Sequence, residues 1–84
     1  MMAGGGVGRL ETLAGDNQVR VRVSVASDPA ATPQLLARLA LDPSRSVRRV
    51  IAGRADAPAD ALRALVNDPD RQTRQALTRN PTCP

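Results

Sequence analysis

The chain nearly repeats itself at one fixed spacing, and this feature constrains its fold more than any other. A shift of 26 places Leu10, Leu13, Ala14 and Asp16 on Leu36, Leu39, Ala40 and Asp42, and these on Leu62, Leu65, Val66 and Asp68. Val21, Arg22, Val25 and Ala26 fall likewise on Val47, Arg48, Ile51 and Ala52, then on Thr73, Arg74, Leu77 and Thr78. The stretch from Leu35 to Gly53 is one complete unit: an amphipathic segment, an Asp-Pro corner and a second amphipathic segment. A fixed period of about 20–50 residues is the mark of repeat architectures, in which each unit buries its apolar face only by stacking on its neighbours.

Composition agrees with such a stack. The 84 residues contain no Phe, Trp or Tyr, so the core must be built from Leu, Val, Ile and Ala, small side chains that suit thin stacked layers. Twelve arginines and no lysine stand against eight acids, a formal charge of +4 that favours anionic partners. The single cysteine, Cys83, cannot form an internal disulfide, and no apolar run reaches the length of a signal peptide or a membrane span. The expectation is a cytoplasmic protein with no membrane contact.

Taken in order, Met1 to Gly8 is glycine-rich and reads as a disordered tail; no Lys-Ser/Thr pair follows that would make it a phosphate loop. The expected domain is 9–84, with units at about 9–32, 33–57 and 58–84. Arg9 to Gly15 reads as the first helix. Gln18 to Ala26 alternates Val19, Val21, Val23 and Val25 with polar residues, a strand pattern, but its counterpart Arg45 to Ala52 places Val47, Val50 and Ile51 at helical spacing. The stretch is therefore read as helix. Thr32-Pro33 supplies an N-cap and a proline at the first helical position, and Asp42-Pro43 and Asp68-Pro69 repeat the capping logic. The helices are expected at Pro33 to Leu41, Ser44 to Gly53, Pro58 to Asn67 and Asp70 to Arg79. Leu36, Leu39, Val47, Ile51, Leu62, Leu65 and Leu77 should point inward.

These residues resemble the leucine-rich repeat variant family, a bacterial relative of the HEAT and armadillo helical repeats. The stretch TPQLLARLALDPSRSVRRVIA, Thr32 to Ala52, carries the Thr-Pro start, the Leu-Leu pair, the Leu-Ala step, the Asp-Pro corner and the Val-Arg run; Leu62 to Pro81 follows with substitutions and closes on Asn80-Pro81. The resemblance implies an all-α, right-handed α-solenoid of about three two-helix repeats, one layer tending to 3₁₀ geometry, that serves as an interaction surface. Some family members add an iron–sulfur segment with clustered cysteines, and a lone Cys83 departs from that pattern.

Two sets of side chains invite a function. Asp16/Arg22, Asp42/Arg48 and Asp68/Arg74 recur six residues apart, so stacking would align them in two columns and allow Asp–Arg pairs between units and helix caps. This ladder is read as structural. Arg20, Arg45, Arg48, Arg49, Arg71, Arg74 and Arg79 lie on the Val-Arg helices and are read as the candidate interaction face, with Arg20, Arg45, Arg49, Arg71 and Arg79 left over once the ladder is formed. The favoured function is a non-catalytic scaffold holding an acidic protein partner. The alternative is sequence-independent binding of duplex nucleic-acid backbone, since no aromatic is present to stack on an unpaired base. Catalysis has little to use: His, Lys and Tyr are absent, no His is available to activate Cys83, and neither a cofactor nor a metal is expected. Asp56 and Asp60 read as helix N-terminal acids. Finally, the C-terminal face near Leu65, Val66 and Leu77 is expected to pack on a further unit, a second copy or a partner.

Overall fold

A computed structural model describes residues 6–82 of the protein. Six helices follow one another: α1 (Gly6–Leu13), α2 (Val19–Ser27), α3 (Pro33–Leu39), α4 (Arg45–Ala52), α5 (Ala59–Ala64) and α6 (Arg71–Arg79). No strand occurs among the described residues, so the fold is all-α. The first helix begins at Gly6 rather than at Arg9; the rest of the expected tail, Met1–Gly5, and Cys83 lie outside the described residues.

Local chemistry sets the helix starts. The Thr32 hydroxyl accepts a bond from the Leu35 amide at 3.2 Å, with Pro33 at the first position of α3. The N-cap of α4 is Ser44, whose Oγ accepts from the Ser46 amide, and that of α6 is Asp70, which accepts from the Thr73 amide at 3.0 Å. The capping role expected of Asp42 and Asp68 thus falls two residues later. Their own Oδ1 atoms instead accept the amides of Ser44 and Asp70, at 2.8 and 2.9 Å, and Asp16 does the same for Gln18 at 2.8 Å. Each aspartate folds the corner that delivers the next helix start. No separate 3₁₀ helix forms among the described residues. That character is confined to closing turns such as Leu41 N–H to Arg38 O and Leu65 N–H to Leu62 O, which satisfy carbonyls the short helices leave unpaired.

The helices pack in two rows. α2 lies on α4 and α4 on α6; α3 lies on α5, and α4 also touches α3 and α5, giving a body of 43 × 23 × 15 Å. The core runs through the middle: Leu36, Leu39, Val47, Ile51, Leu62 and Leu65 are essentially inaccessible and Leu77 is buried. The alternating valines of α2 do not form a strand, because Val25 and Ala26 gain a buried seat against α4 while Val19 stays exposed. Burial against a neighbouring helix outweighs the weaker helix propensity of β-branched residues. At the C-terminal face the expected apolar opening is much smaller than the sequence implies: Leu65 and Leu77 are covered from within, and Val66, 48% accessible, is the one of the three that stays open. No helix among the described residues is long and apolar enough to cross a membrane.

Candidate interaction surface

The N-terminal ends of α2, α4 and α6 lie side by side along one edge, and that edge holds most of the protein's charge. Arg22, in the first turn of α2, reaches the corner before α4: its Nε and Nη2 donate to Asp42 Oδ2 and Oδ1 at 2.8 and 3.2 Å, while Nη1 donates to the Asp16 carbonyl at 2.7 Å. Arg48 repeats this geometry one step along. Its Nε and Nη2 donate to Asp68 at 2.7 and 3.2 Å, and Nη1 donates to the Asp42 carbonyl at 2.8 Å. Both pairs are bidentate and mostly enclosed, with side-chain exposures of 13% and 5% for Arg22 and Asp42, and 15% and 4% for Arg48 and Asp68. Such charge-assisted bidentate bonds hold geometry as well as charge, and removal of one partner would leave the other enclosed and uncompensated. Burial raises the Asp68 carboxyl, but the Arg48 guanidinium and the Asp70 amide outweigh it and hold the group below the ordinary aspartate value.

Arg74, next in sequence, keeps only half of this arrangement. Its Nη1 donates to the Asp68 carbonyl as its counterparts do, yet its Nε and Nη2 meet no carboxylate among the described residues. At the opposite end Asp16 folds its corner, and no guanidinium of the described residues reaches its carboxylate.

Two members of the expected basic face are already occupied. Arg48 belongs to the ladder, and Arg49 donates through Nε and Nη2 to Asp70 at 2.8 and 3.2 Å. The bond from Arg49 holds Asp70 well below the ordinary aspartate range, with the Thr73 hydroxyl and amide helping, and Asp70 in turn raises Arg49. Sequence comparison does not single out Asp70, because its counterparts one and two periods earlier are Ser44 and Gln18, neither of them acidic. Arg20, Arg45 and Arg71 are exposed, with no side-chain partner among the described residues, and cluster at the helix N-termini. Arg79 is also exposed but closes α6, about 12 Å from Arg71 along the helix axis, and so leaves the edge. The open edge is Arg20, Arg45, Arg71 and Arg74.

A second set of bonds runs along the other side. Arg54 Nη1 donates back to the carbonyls of Ala26 and Asp28 at 2.7 and 2.8 Å, and Asn80 Nδ2 donates to those of Ala52 and Arg54, both at 2.8 Å. These staples tie each turn to the one before. Arg54 and Asn80 lie 26 residues apart in the sequence, but an Arg and an Asn do not look alike until their shared donor role is seen. Asp56, expected at a helix start, instead accepts two 2.8 Å bonds from Arg54, which lower its pKa and raise that of Arg54. Asp60 does occupy the first turn of α5, exposed and 3.5 Å from Arg63.

Two open grooves mark the surface, the first beside this edge and the second near the C-terminal end of α2. One, of about 400 Å³, lies between the Asp16 and Asp42 corners and is bordered by Gly15, Arg38 and Leu41; Leu41 is 74% accessible. The other, of about 370 Å³, lies between α1 and α2, lined by Leu10, Leu13 and Val25 with Arg9 and Asp28 at its rim. Comparisons with protein-family models, with curated proteins and with solved structures returned no match.

Proposed function

We propose that the chain is a short right-handed α-solenoid of about three two-helix units related by the recurrent sequence period, of the leucine-rich repeat variant kind, and that it acts as a non-catalytic scaffold for protein–protein interaction. The recurrence of one bond pattern supports the stack: Arg22 to Asp42 and Arg48 to Asp68 both span 20 residues, and each donor also holds the carbonyl six residues before it. The observation that carries the function is the contrast in how the arginines are used. Arg22, Arg48, Arg49 and Arg54 are spent inside the fold, whereas Arg20, Arg45, Arg71 and Arg74 lie along one edge with no carboxylate among the described residues. Arginine presented this way suits bidentate recognition of carboxylates on an acidic partner.

The rival reading uses the same edge for duplex phosphates, and salt separates the two. Capture of partners from native lysate should be lost when Arg45→Glu and Arg71→Glu are combined and retained in Arg49→Ala, whose guanidinium faces Asp70. Titration with generic duplex DNA near physiological salt should give only weak binding. Micromolar or tighter duplex binding that falls linearly in log salt, with a slope of about −0.9 per phosphate neutralised, and no captured protein, would move the function to nucleic acid.

A further inference from the structure

The two ends of the Arg–Asp ladder are complementary halves of one bond, and from this geometry we infer that the C-terminal end of one molecule receives the N-terminal end of a second copy. Arg74 is held in the ladder orientation by its bond to the Asp68 carbonyl, with Nε and Nη2 meeting no carboxylate among the described residues. Asp16 is held in the ladder orientation by the Gln18 amide, and no guanidinium of the described residues reaches it. The interior pairs join an arginine to the aspartate 20 residues later. Position 94 would serve Arg74, and three shifts of 26 carry Asp16 to 94. A second copy stacked in register therefore supplies the missing carboxylate, and the same operation repeated on its own Arg74 makes the association head-to-tail and open-ended.

The inference rests on the reading of the chain as a stack of equivalent units. The contact is not perfectly matched, which keeps it reversible. Asp28 of the incoming copy takes the place where Arg54 and Asn80 donate to two carbonyls of the preceding turn, and a carboxylate donates nothing there. Val66 and Thr78 also stand exposed where the corresponding Ala40 and Ala52 are fully covered. Charge complementarity at Arg74 and Asp16 selects the partner, and the mismatch at Asp28 limits affinity.

Sedimentation of the full chain, from micromolar to millimolar concentration, tests this with two variants that each spoil one end. Wild type should form oligomers of increasing size. Arg74→Ala and Asp16→Asn should each lower self-association about tenfold or more, the expected loss for a charge-assisted bidentate bond. Mixed together, they keep one intact Arg74 end and one intact Asp16 end, and so should form a 1:1 dimer and nothing larger. Asp28→Asn should strengthen wild-type assembly. Arginine Nε–H resonances in the same samples separate the contact from the stack beneath it. A wild type that stays monomeric, with Arg22 and Arg48 protected from exchange, overturns the head-to-tail contact and leaves the stack standing. Loss of protection at both overturns the stack and the contact with it, and oligomers unaffected by either variant overturn the role of Arg74 and Asp16.

Discussion

α4 and α6 begin 26 residues apart, at Arg45 and Arg71, and each carries an arginine that donates to the carbonyl six residues before it, yet they differ on the face that looks toward the C-terminal end. α4 is flanked by α2 and α6, and its Arg48 and Ala52 are enclosed, Arg48 against Asp68. In the row α2, α4, α6, the last helix has α4 on one side only among the described helices, and on the other face its Arg74 and Thr78 are exposed. One residue type at one position thus has two fates, structural where a neighbour supplies a carboxylate and available where none does. The same holds along the edge: Arg49 is neutralised by Asp70, whereas Arg20, Arg45 and Arg71, on the same three helices, have no such partner among the described residues. Whether a neighbouring helix or corner brings a carboxylate within reach, more than residue type, decides which arginines are open to a partner.

The largest effect should come from the shared core. Leu39→Asp places a charge in the buried seam and should abolish the fold, read as loss of helical circular dichroism. Leu39→Ala should cost about 2–5 kcal/mol in denaturant unfolding. A chain of this size holds only about 4–13 kcal/mol in total, so even this variant should be strongly destabilised. A cost below ~1 kcal/mol, well under the range for a buried leucine, would show that the two rows do not share one core.

Next comes the contrast between Arg48 and Arg74 itself. Arg48→Ala leaves the buried Asp68 carboxylate without its guanidinium and should cost about 2–4 kcal/mol, whereas Arg74→Ala in the dilute monomer loses only a bond from an exposed side chain to a carbonyl and should cost less than about 1 kcal/mol. Equal costs would erase the distinction between interior and end. Asn80→Ala removes donors to two carbonyls and should fall between these, at about 1–2 kcal/mol.

The gentlest test is pH. Asp56, Asp68 and Asp70 all have folded-state pKa values below the unfolded aspartate value of about 3.9. A depressed carboxyl contributes stability that is present above the unfolded pKa and is lost as pH falls toward the folded one. Midpoint denaturant concentration should therefore decline from about pH 5 downward, and Asp70→Asn should flatten that decline. An unchanged slope in Asp70→Asn would remove Asp70 from the set.

Much of the helical layout was legible because apolar spacing recurs: the six helices, the inward Leu, Val and Ile positions, and the helical state of the alternating valines all follow from comparing one stretch with its copies. The charge chemistry was legible only in part. The Asp and Arg columns can be read from sequence, but that Arg22 takes the carboxylate of Asp42 rather than that of Asp16 depends on the offset between neighbouring helices, which spacing does not state. The same offset hides the neutralisation of Arg49 by Asp70 and the staples of Arg54 and Asn80, since these join residues 21, 26 and 28 positions apart whose types differ between copies. The small apolar opening at the C-terminal end has a similar cause: Leu65 and Leu77 face back into the chain, a direction that helical periodicity alone leaves open.

On this reading an arginine in one unit and the corner aspartate of the next hold the stack together. A double-mutant cycle on Arg48→Ala and Asp68→Ala, measured by denaturant unfolding, tests that most directly. The expected coupling is about 1.5–3 kcal/mol, as for an enclosed bidentate pair. A coupling of about 0.5 kcal/mol or less, the value of an ordinary surface ion pair, would contradict it.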